Sequence, residues 1–278
     1  MKRFHSLLIA LTVVLTIQML QGRDGGWQFT MGGGIAGENV YPGSDHYYLM
    51  PLPNLKAAYD RGSVHYSLSL LEGLQVTWRA PRYGLLASLN INAGDTRKAD
   101  EYSVLGMAVK HRDDTRRRLA GTPDLDTPLA LNAMLAAPSP VGVFGVALTY
   151  HPTRVAYPQG DLTDETRGGF VYSALYMVGF SPAERLSVSG LVSIDFMDRT
   201  YADTWFSVNR PTASLSPFAA GAGLRSGMVA LEITYPFSRR VDLSLVGAST
   251  VLLGDAKDSP FTVENVQRTM TMQVLYHF

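Results

Sequence analysis

From Gln267 to Phe278 apolar side chains fall on every second residue: Met270, Met272, Val274, Tyr276 and Phe278. Thr269, Thr271, Gln273 and His277 stand between them, with Leu275 as the one apolar exception. A strand points successive side chains to opposite faces, so this pattern predicts a two-faced strand ending on an aromatic carboxy-terminus. The alternation recurs along the chain. Trp27, Phe29 and Met31 alternate with Gln28 and Thr30, and Val64, Tyr66, Leu68 and Leu70 with His65, Ser67 and Ser69, continuing unevenly through Val76 and Trp78. Leu85, Ala87, Leu89 and Ile91 alternate with Ser88, Asn90 and Asn92. The cleanest case is Leu186, Val188, Gly190, Val192, Ile194 and Phe196, opposed by Ser187, Ser189, Ser193 and Asp195. Further strands are predicted over Leu49–Tyr59, Ser103–Lys110, Leu129–Ala137, Val141–Tyr150, Phe170–Phe180 and Val241–Leu252. Ser216–Tyr235 is long enough for one bent strand or two short ones. The total is about twelve strands, with about ten or fourteen as alternatives.

Short turns are predicted near Asp60, at Ala93–Asp100, and near Pro138, Pro182 and Ser238, and longer loops near Asn39, Arg116, Gly160, Asp203 and Lys257. Ala80–Arg82 is short where this alternation calls for a long loop. Pro51 and Pro53 interrupt the second strand, a place where proline would break an ordinary central strand. An even number of antiparallel strands, short turns at one end and long loops at the other, is the layout of an outer-membrane up-and-down barrel with its apolar face toward lipid. A soluble sandwich would bury the same apolar face in protein, but Ser and Asp on the opposite face suit a wet lumen better. Past Leu20 no apolar run is long enough for a spanning helix, which leaves a closed barrel as the way to satisfy the backbone in lipid. Lys2 and Arg3 followed by the apolar run Leu7–Leu20 have the layout of a secretory signal. Residues 1–22 are expected to be that signal and 23–278 a single barrel domain. An uncleaved anchor is the alternative, since Leu20-Gln21-Gly22 is a poor cleavage site.

The 24 basic and 24 acidic residues cancel, so the chain lacks the basic balance of a nucleic-acid binder. With no cysteine, disulfides and thiolate metal sites are excluded. Trp27, Trp78, Trp205 and the 14 tyrosines suit aromatic girdles at the membrane surfaces. Asp255, Asp258 and Ser259 gather oxygen atoms in one loop but lack the ligand order of a calcium-binding hand, so a hydrogen-bonded turn closed by Pro260 is the expected reading. Ser44, Asp45 and His46 are adjacent, whereas a hydrolytic triad is defined by geometry. Arg112, Arg116, Arg117 and Arg118 with Asp113 and Asp114 make the densest charge cluster, read as a solvated loop with weak ion pairs, with a grip on lipopolysaccharide phosphates or a fold into the pore as the alternative. His65 and His151 are expected to face the lumen, and His277 to carry no chemistry. No cofactor or metal is expected.

Several stretches resemble the MipA/OmpV family, the MltA-interacting outer-membrane proteins. Tyr41-Pro42-Gly43-Ser44 is similar to its first loop, with Pro51-Leu52-Pro53-Asn54-Leu55 following in place. Arg112-Asp113-Asp114 through Leu119-Ala120-Gly121 resembles its Arg-Asp-rich segment. YADTWFSV, containing Tyr201, Trp205 and Phe206, resembles an aromatic segment in which Ser207 replaces the usual glycine. Gly254-Asp255-Ala256 and Asp258-Ser259-Pro260 match its GDA-x-x-SP turn, the most specific signal, and Tyr276-His277-Phe278 is similar to its closing Tyr-x-Phe, the expected signal to the barrel-assembly machinery. The resemblance implies a barrel in the outer-membrane lipid of a Gram-negative cell, without catalytic residues. It also implies a scaffold holding a lytic transglycosylase against a murein synthase, while other members are linked to adhesion, osmotic response or solute uptake. The expectation is therefore a non-enzymatic scaffold. A porin-like solute pore or an adhesin is the alternative, and a lipid-modifying enzyme using Ser44 and His46 is a third reading.

Overall fold

A computed structural model describes residues 26–104, 107–157, 164–210 and 212–278. The expected signal peptide lies outside the described residues. The strands are β1 (Gly26–Asn39), β2 (Tyr47–Arg61), β3 (Val64–Ser69), β4 (Gly73–Arg79), β5 (Leu86–Asn92), β6 (Thr96–Arg97), β7 (Glu101–Val104), β8 (Met107–Lys110), β9 (Asp124–Asp126), β10 (Ala130–Ser139), β11 (Gly142–Ala156), β12 (Glu165–Ala183), β13 (Leu186–Met197), β14 (Gly223–Pro236), β15 (Val241–Leu252) and β16 (Val266–His277). Three short helices lie in the loops: α1 (Asp113–Leu119), α2 (Arg199–Phe206) and α3 (Gly254–Asp258). Twelve strands, β1 to β5 and β10 to β16, form an antiparallel barrel that closes where β1 pairs with β16, Thr30 opposite His277 through Gly37 opposite Met270. No helix among the described residues is long and apolar enough to cross a membrane.

The two faces separate as the alternation requires. On β16 Met270, Met272 and Val274 are exposed outward while Thr271 and Gln273 are buried inward. On β13 Val192, Ile194 and Phe196 face out, opposed by buried Ser189, Ser193 and Asp195. Such an outer surface would be an enormous apolar patch in water, and is the surface expected in hydrocarbon. Aromatic side chains gather at the turn end of this band: Trp27 lies against Tyr59 at 5.1 Å, Phe144 against Tyr176 at 4.7 Å, and Tyr276 edge-on to Phe278 at 4.9 Å. The carboxy-terminal residue is tied into the seam, its N–H donating to the Phe29 carbonyl at 3.0 Å.

The strand count is as expected, although two of its members differ. Val64–Trp78 is two strands, β3 and β4, folded back at Leu70–Glu72. That turn is made of apolar residues beside a buried glutamate and carries no turn composition. Ser103–Lys110 is not a barrel strand. It belongs to β7 and β8, a separate two-stranded sheet within a loop. The extra hairpin also corrects the phase of the connections. Ala80–Arg82 lies at the short-turn end, and Ala93–Asp100 belongs to the long loop that carries β6 to β9. Asn92 faces Ala130 and Thr96 faces Asp126 in the same register, so β6 and β9 prolong β5 and β10 past an irregular step. Residues 216–222 belong to the loop before β14 rather than to a strand.

The early β3–β4 turn also explains Pro51 and Pro53. Above the turn, Tyr47–Leu55 pairs with β1 but, among the described residues, with no strand on its other side. The Leu70 N–H donates to the Leu55 carbonyl at 3.0 Å, so odd-numbered residues of β2 direct their backbone groups toward β3. Pro51 and Pro53 share that parity, and their missing N–H groups fall on the unpaired edge, where proline is tolerated and discourages further pairing. The β7–β8 hairpin covers this part of the wall, with Tyr102 on Tyr48 at 4.9 Å and Val109 packed against Met50 and Leu52.

Candidate functional site

Three loops converge on the barrel's loop end to build a cap. Asp198 starts α2, its side chain accepting the Tyr201 N–H at 2.6 Å, as an N-cap aspartate does. One helical turn brings Tyr201 and Trp205 to the same face, their rings 6.0 Å apart and, with Phe206, fully buried. The next loop locks them: Ser259 Oγ donates to the Phe206 carbonyl at 2.7 Å, and Asp255 accepts the Gly221 N–H at 2.7 Å. Ser207 accepts the Ala220 N–H at 2.8 Å, a bond that a glycine at this position could not make. From the first loop, Gly43 adopts φ +89°, and a Cβ there would lie 2.6 Å from Thr262. Its carbonyl accepts the Val263 N–H at 2.7 Å, and Tyr41 is buried beside Leu119 and Phe261.

Most of the residues singled out from sequence thus meet in one assembly. Tyr41, Gly43, Tyr201, Trp205, Phe206, Asp255 and Ser259 build or brace the cap; Gly254 opens α3 and Pro260 follows its end half-buried. Pro42 lines a small interior cavity of about 50 Å³ just below, together with Asp95 and Arg225. Trp205 needs correction as a girdle residue, being 2% exposed within the cap while Trp27 is 65% exposed on the outer surface. Tyr276 and Phe278 stand at the other end of the barrel on its outer face.

The residue that ties the cap together was not singled out from sequence. Arg97 of β6 is buried, donates from Nη1 to the Trp205 carbonyl at 2.5 Å, and lays its guanidinium 3.6 Å from the centre of the Phe261 ring. Burial pulls its pKa down to about 10, opposed by Tyr41 and Asp124, so it stays charged at neutral pH. A guanidinium over an aromatic face gains electrostatic attraction that grows on desolvation. Nothing local in the sequence marks this arginine, because its main partner lies 108 residues away.

Below the cap many of the inward side chains bond to one another, while the Ser67, Thr77 and Thr271 hydroxyls have no partner among the described residues. Asp195 accepts from Ser173 at 2.7 Å and from Ser226 at 2.8 Å. Glu232 accepts from Ser244 at 3.1 Å and Ser189 at 3.4 Å. Asn92, Asn132 and Thr149 form a chain, and Lys56 pairs with Glu72 at 2.7 Å. Gln75, Thr77, Ser244, Thr271 and Gln273 are all buried, as is an apolar inner group including Leu175, Met177, Met228 and Val246. His65 and His151 face inward as expected, and His277 bridges Thr30 at 3.1 Å and Asp242 at 2.8 Å.

The other candidate clusters are structural. Ser44 is fully buried and its Oγ accepts the His46 backbone N–H at 3.1 Å, while the His46 ring faces Asp114 at 3.1 Å and Asp45 at 3.6 Å. The arginine cluster is α1, which Arg118 ties to Asp45 at 3.5 Å; Arg116 lies 3.5 Å from both Asp100 and Asp113, exposed pairs worth at most about 1 kcal/mol each. The turn end differs in charge. Arg61, Arg79, Arg82, Arg185, Arg239 and Arg240 are exposed there, and the turns themselves add a single acid, Glu184. The nearby Asp60 and Asp242 contact His65 at 2.7 Å and His277 at 2.8 Å and are half-buried, and the Phe278 carboxylate adds a further negative charge at this end.

The profile of one protein family, described as MltA-interacting protein MipA, matches residues 31–278. The chain belongs to that family. A comparison with curated proteins finds no match. Among solved structures, the MipA-family barrel is similar to the translocator domain of autotransporter NalP from Neisseria meningitidis, at 10% identity over 99% of this chain and 96% of that one, TM-score 0.49. It is also similar to the outer membrane protein OmpT of Vibrio cholerae, at 8% identity over 93% and 99%, TM-score 0.39. The NanC porin matches at 9% identity over 89% and 98%, TM-score 0.39. Family and fold together are those of an outer-membrane β-barrel.

Proposed function

We propose that this MipA-family barrel is a non-enzymatic and non-conducting anchor. It sits in the outer membrane and holds murein-remodelling enzymes, a lytic transglycosylase and a murein synthase, against its turn end. The observation that carries the reading is the charge of that end, six exposed arginines against Glu184, the half-buried Asp60 and Asp242 and the Phe278 carboxylate. Complementary charge speeds and orients docking more than it deepens affinity, so such a face suits an acidic partner surface held at the membrane. The pore reading is disfavoured by the buried aromatic cap and by inward polar groups that bond to each other. The lipid-enzyme reading is disfavoured by Ser44, which no lipid could reach.

The test is capture of a lytic transglycosylase from solubilised envelopes by the purified full chain. Joint substitution Arg82→Glu, Arg239→Glu and Arg240→Glu is expected to weaken capture by about tenfold or more, with stronger loss at low salt. Arg116→Glu with Arg117→Glu, at the loop end, should leave capture unchanged. A folded turn-end variant that captures as well as the native chain would remove the basis for the reading.

A further inference from the structure

Beside the cap is a cavity of about 300 Å³ lined by Arg97, Tyr157, Arg167, Asp203, Asn209 and Arg210 among others. That volume is at the low end of the roughly 300–1,000 Å³ typical of small-molecule sites. Its charges are unevenly paired. Arg167 bridges Glu165 at 2.6 Å and Asp203 at 2.8 Å, and Asn209 donates to the other oxygen of Asp203 at 3.2 Å, so both carboxylates near it are engaged. Arg97 and Arg210 have no carboxylate within 4.0 Å among the described residues. Arg97 is 4% exposed and its Nε has no hydrogen-bond partner. Arg210 is exposed at the rim, its guanidinium 5.9 Å from the Tyr157 ring centre. Buried charges in proteins are as a rule paired, because an isolated one forfeits its hydration without return. Here a buried cation and a rim cation flank a cavity whose lining carries three guanidinium groups and one carboxylate, Asp203, with Glu165 held by Arg167 and Asp124 acting on Arg97 from beyond 4.0 Å.

We propose that this cavity is a binding site for a small soluble anion, a molecule carrying one ionised carboxylate or phosphate on a compact polar body. The anion would sit between Arg210 and the Arg97 side of the cavity, supplying the direct ion-pair partner that these two arginines lack among the described residues. Arginine suits the role because its planar donors match carboxylate and phosphate oxygens in pairs. Ser207 also lines the cavity and, accepting from the Ala220 N–H, keeps its hydroxyl proton for the polar remainder of the ligand, whereas the Thr122 and Thr204 hydroxyls donate to the Leu119 and Thr200 carbonyls. Burial, with Glu165 accepting its hydroxyl proton at 2.9 Å, raises the Tyr157 pKa, so the phenol itself stays neutral, and the Glu165 carboxylate beside it is held by Arg167. The inference is independent of the anchor reading, since it concerns the opposite end of the barrel.

The experiment is equilibrium dialysis of the full detergent-solubilised chain against radiolabelled galacturonate, with inorganic phosphate and uncharged galactose as competitors. Saturable binding with Kd on the order of 1 mM or tighter is expected, displaced by phosphate and unaffected by galactose. Arg210→Ala should weaken it about tenfold or more, the loss expected for one charge-assisted hydrogen bond. Because Arg210 is exposed, that variant should fold; unchanged electrophoretic mobility of the unheated barrel verifies this. Absence of saturable galacturonate binding, equal competition by galactose, or undiminished binding by the folded Arg210→Ala variant would each overturn the proposal. Loss of transglycosylase capture in the turn-end variant with galacturonate binding intact separates this site from the anchoring face.

Discussion

Gly34→Ala is expected to leave most of the chain unable to close its barrel, whereas Gly33→Ala is expected to fold normally. The two glycines are neighbours on β1, the strand that seals the cylinder against β16. A Cβ on Gly34 would lie 1.9 Å from the Met272 carbonyl oxygen and 2.9 Å from the Gln273 Cα. Both are backbone atoms of the sealing strand, so no rotamer change relieves the clash, and the strands must separate. A Cβ on Gly33 points to lipid and meets nothing nearer than the Leu52 carbonyl at 4.0 Å. Overpacking costs about 1–3 kcal/mol where side chains can yield, and more is expected where backbone must. A failed seam also exposes two rows of unpaired backbone groups to hydrocarbon, at several kcal/mol per group. Heat-modifiable electrophoretic mobility and the urea midpoint in detergent measure the effect. Equal folded fractions for the two variants would mean that β1 and β16 are not as close as described.

The second large effect is expected at Arg97, and it should appear in the cap rather than in the barrel. Arg97→Ala removes the donor to the Trp205 carbonyl and the cation above Phe261. A hydrogen bond to a charged group contributes about 1.5–3 kcal/mol, and a desolvated cation–π contact about 2 kcal/mol. Against this, the substitution relieves the cost of keeping a guanidinium out of water, which is why its pKa falls to about 10. The opposing terms are of similar size, so the unfolding midpoint of the barrel should change little. The tie between the loops has no substitute, however, and the cap should loosen. Of the three tryptophans, Trp27 and Trp78 face the outer apolar surface and Trp205 is buried. Iodide, which does not enter detergent or lipid cores, should reach the interfacial Trp27 and Trp78 equally in both proteins and quench an additional fraction in Arg97→Ala. Unchanged quenching in a folded variant would show that the cap does not depend on Arg97.

The sequence disclosed the wall of the barrel more readily than its contents. Alternation at Leu186–Phe196 and Met270–Phe278 is visible because lipid on one side and polar side chains on the other impose a period of two. It blurs where inward residues are apolar, as at Leu175, Met177, Met228 and Leu275. The turn at Leu70–Glu72 was hidden for a related reason, since residues in a turn at lipid depth are apolar and lack the Asn, Asp and Pro that mark turns in water. Ser103–Lys110 shows the converse, because alternation identifies a two-faced strand without saying what it pairs with. Merging one hairpin and adding one false barrel strand cancelled in the count. The motif residues of three loops were legible individually, but that they meet around Trp205 was not. Arg97, the residue that joins them, carries no local signature at all.

Steady current across a planar bilayer is the most direct measurement of the central claim, that this cylinder is filled by its own bonded side chains and closed at one end. Purified chain inserted from detergent, with insertion verified by protease protection, is expected to pass no steady ohmic current at either polarity. Reproducible stepwise conductance from the native chain would contradict the account, because buried Glu232, Gln273 and Trp205 would then have to line or border a water-filled path.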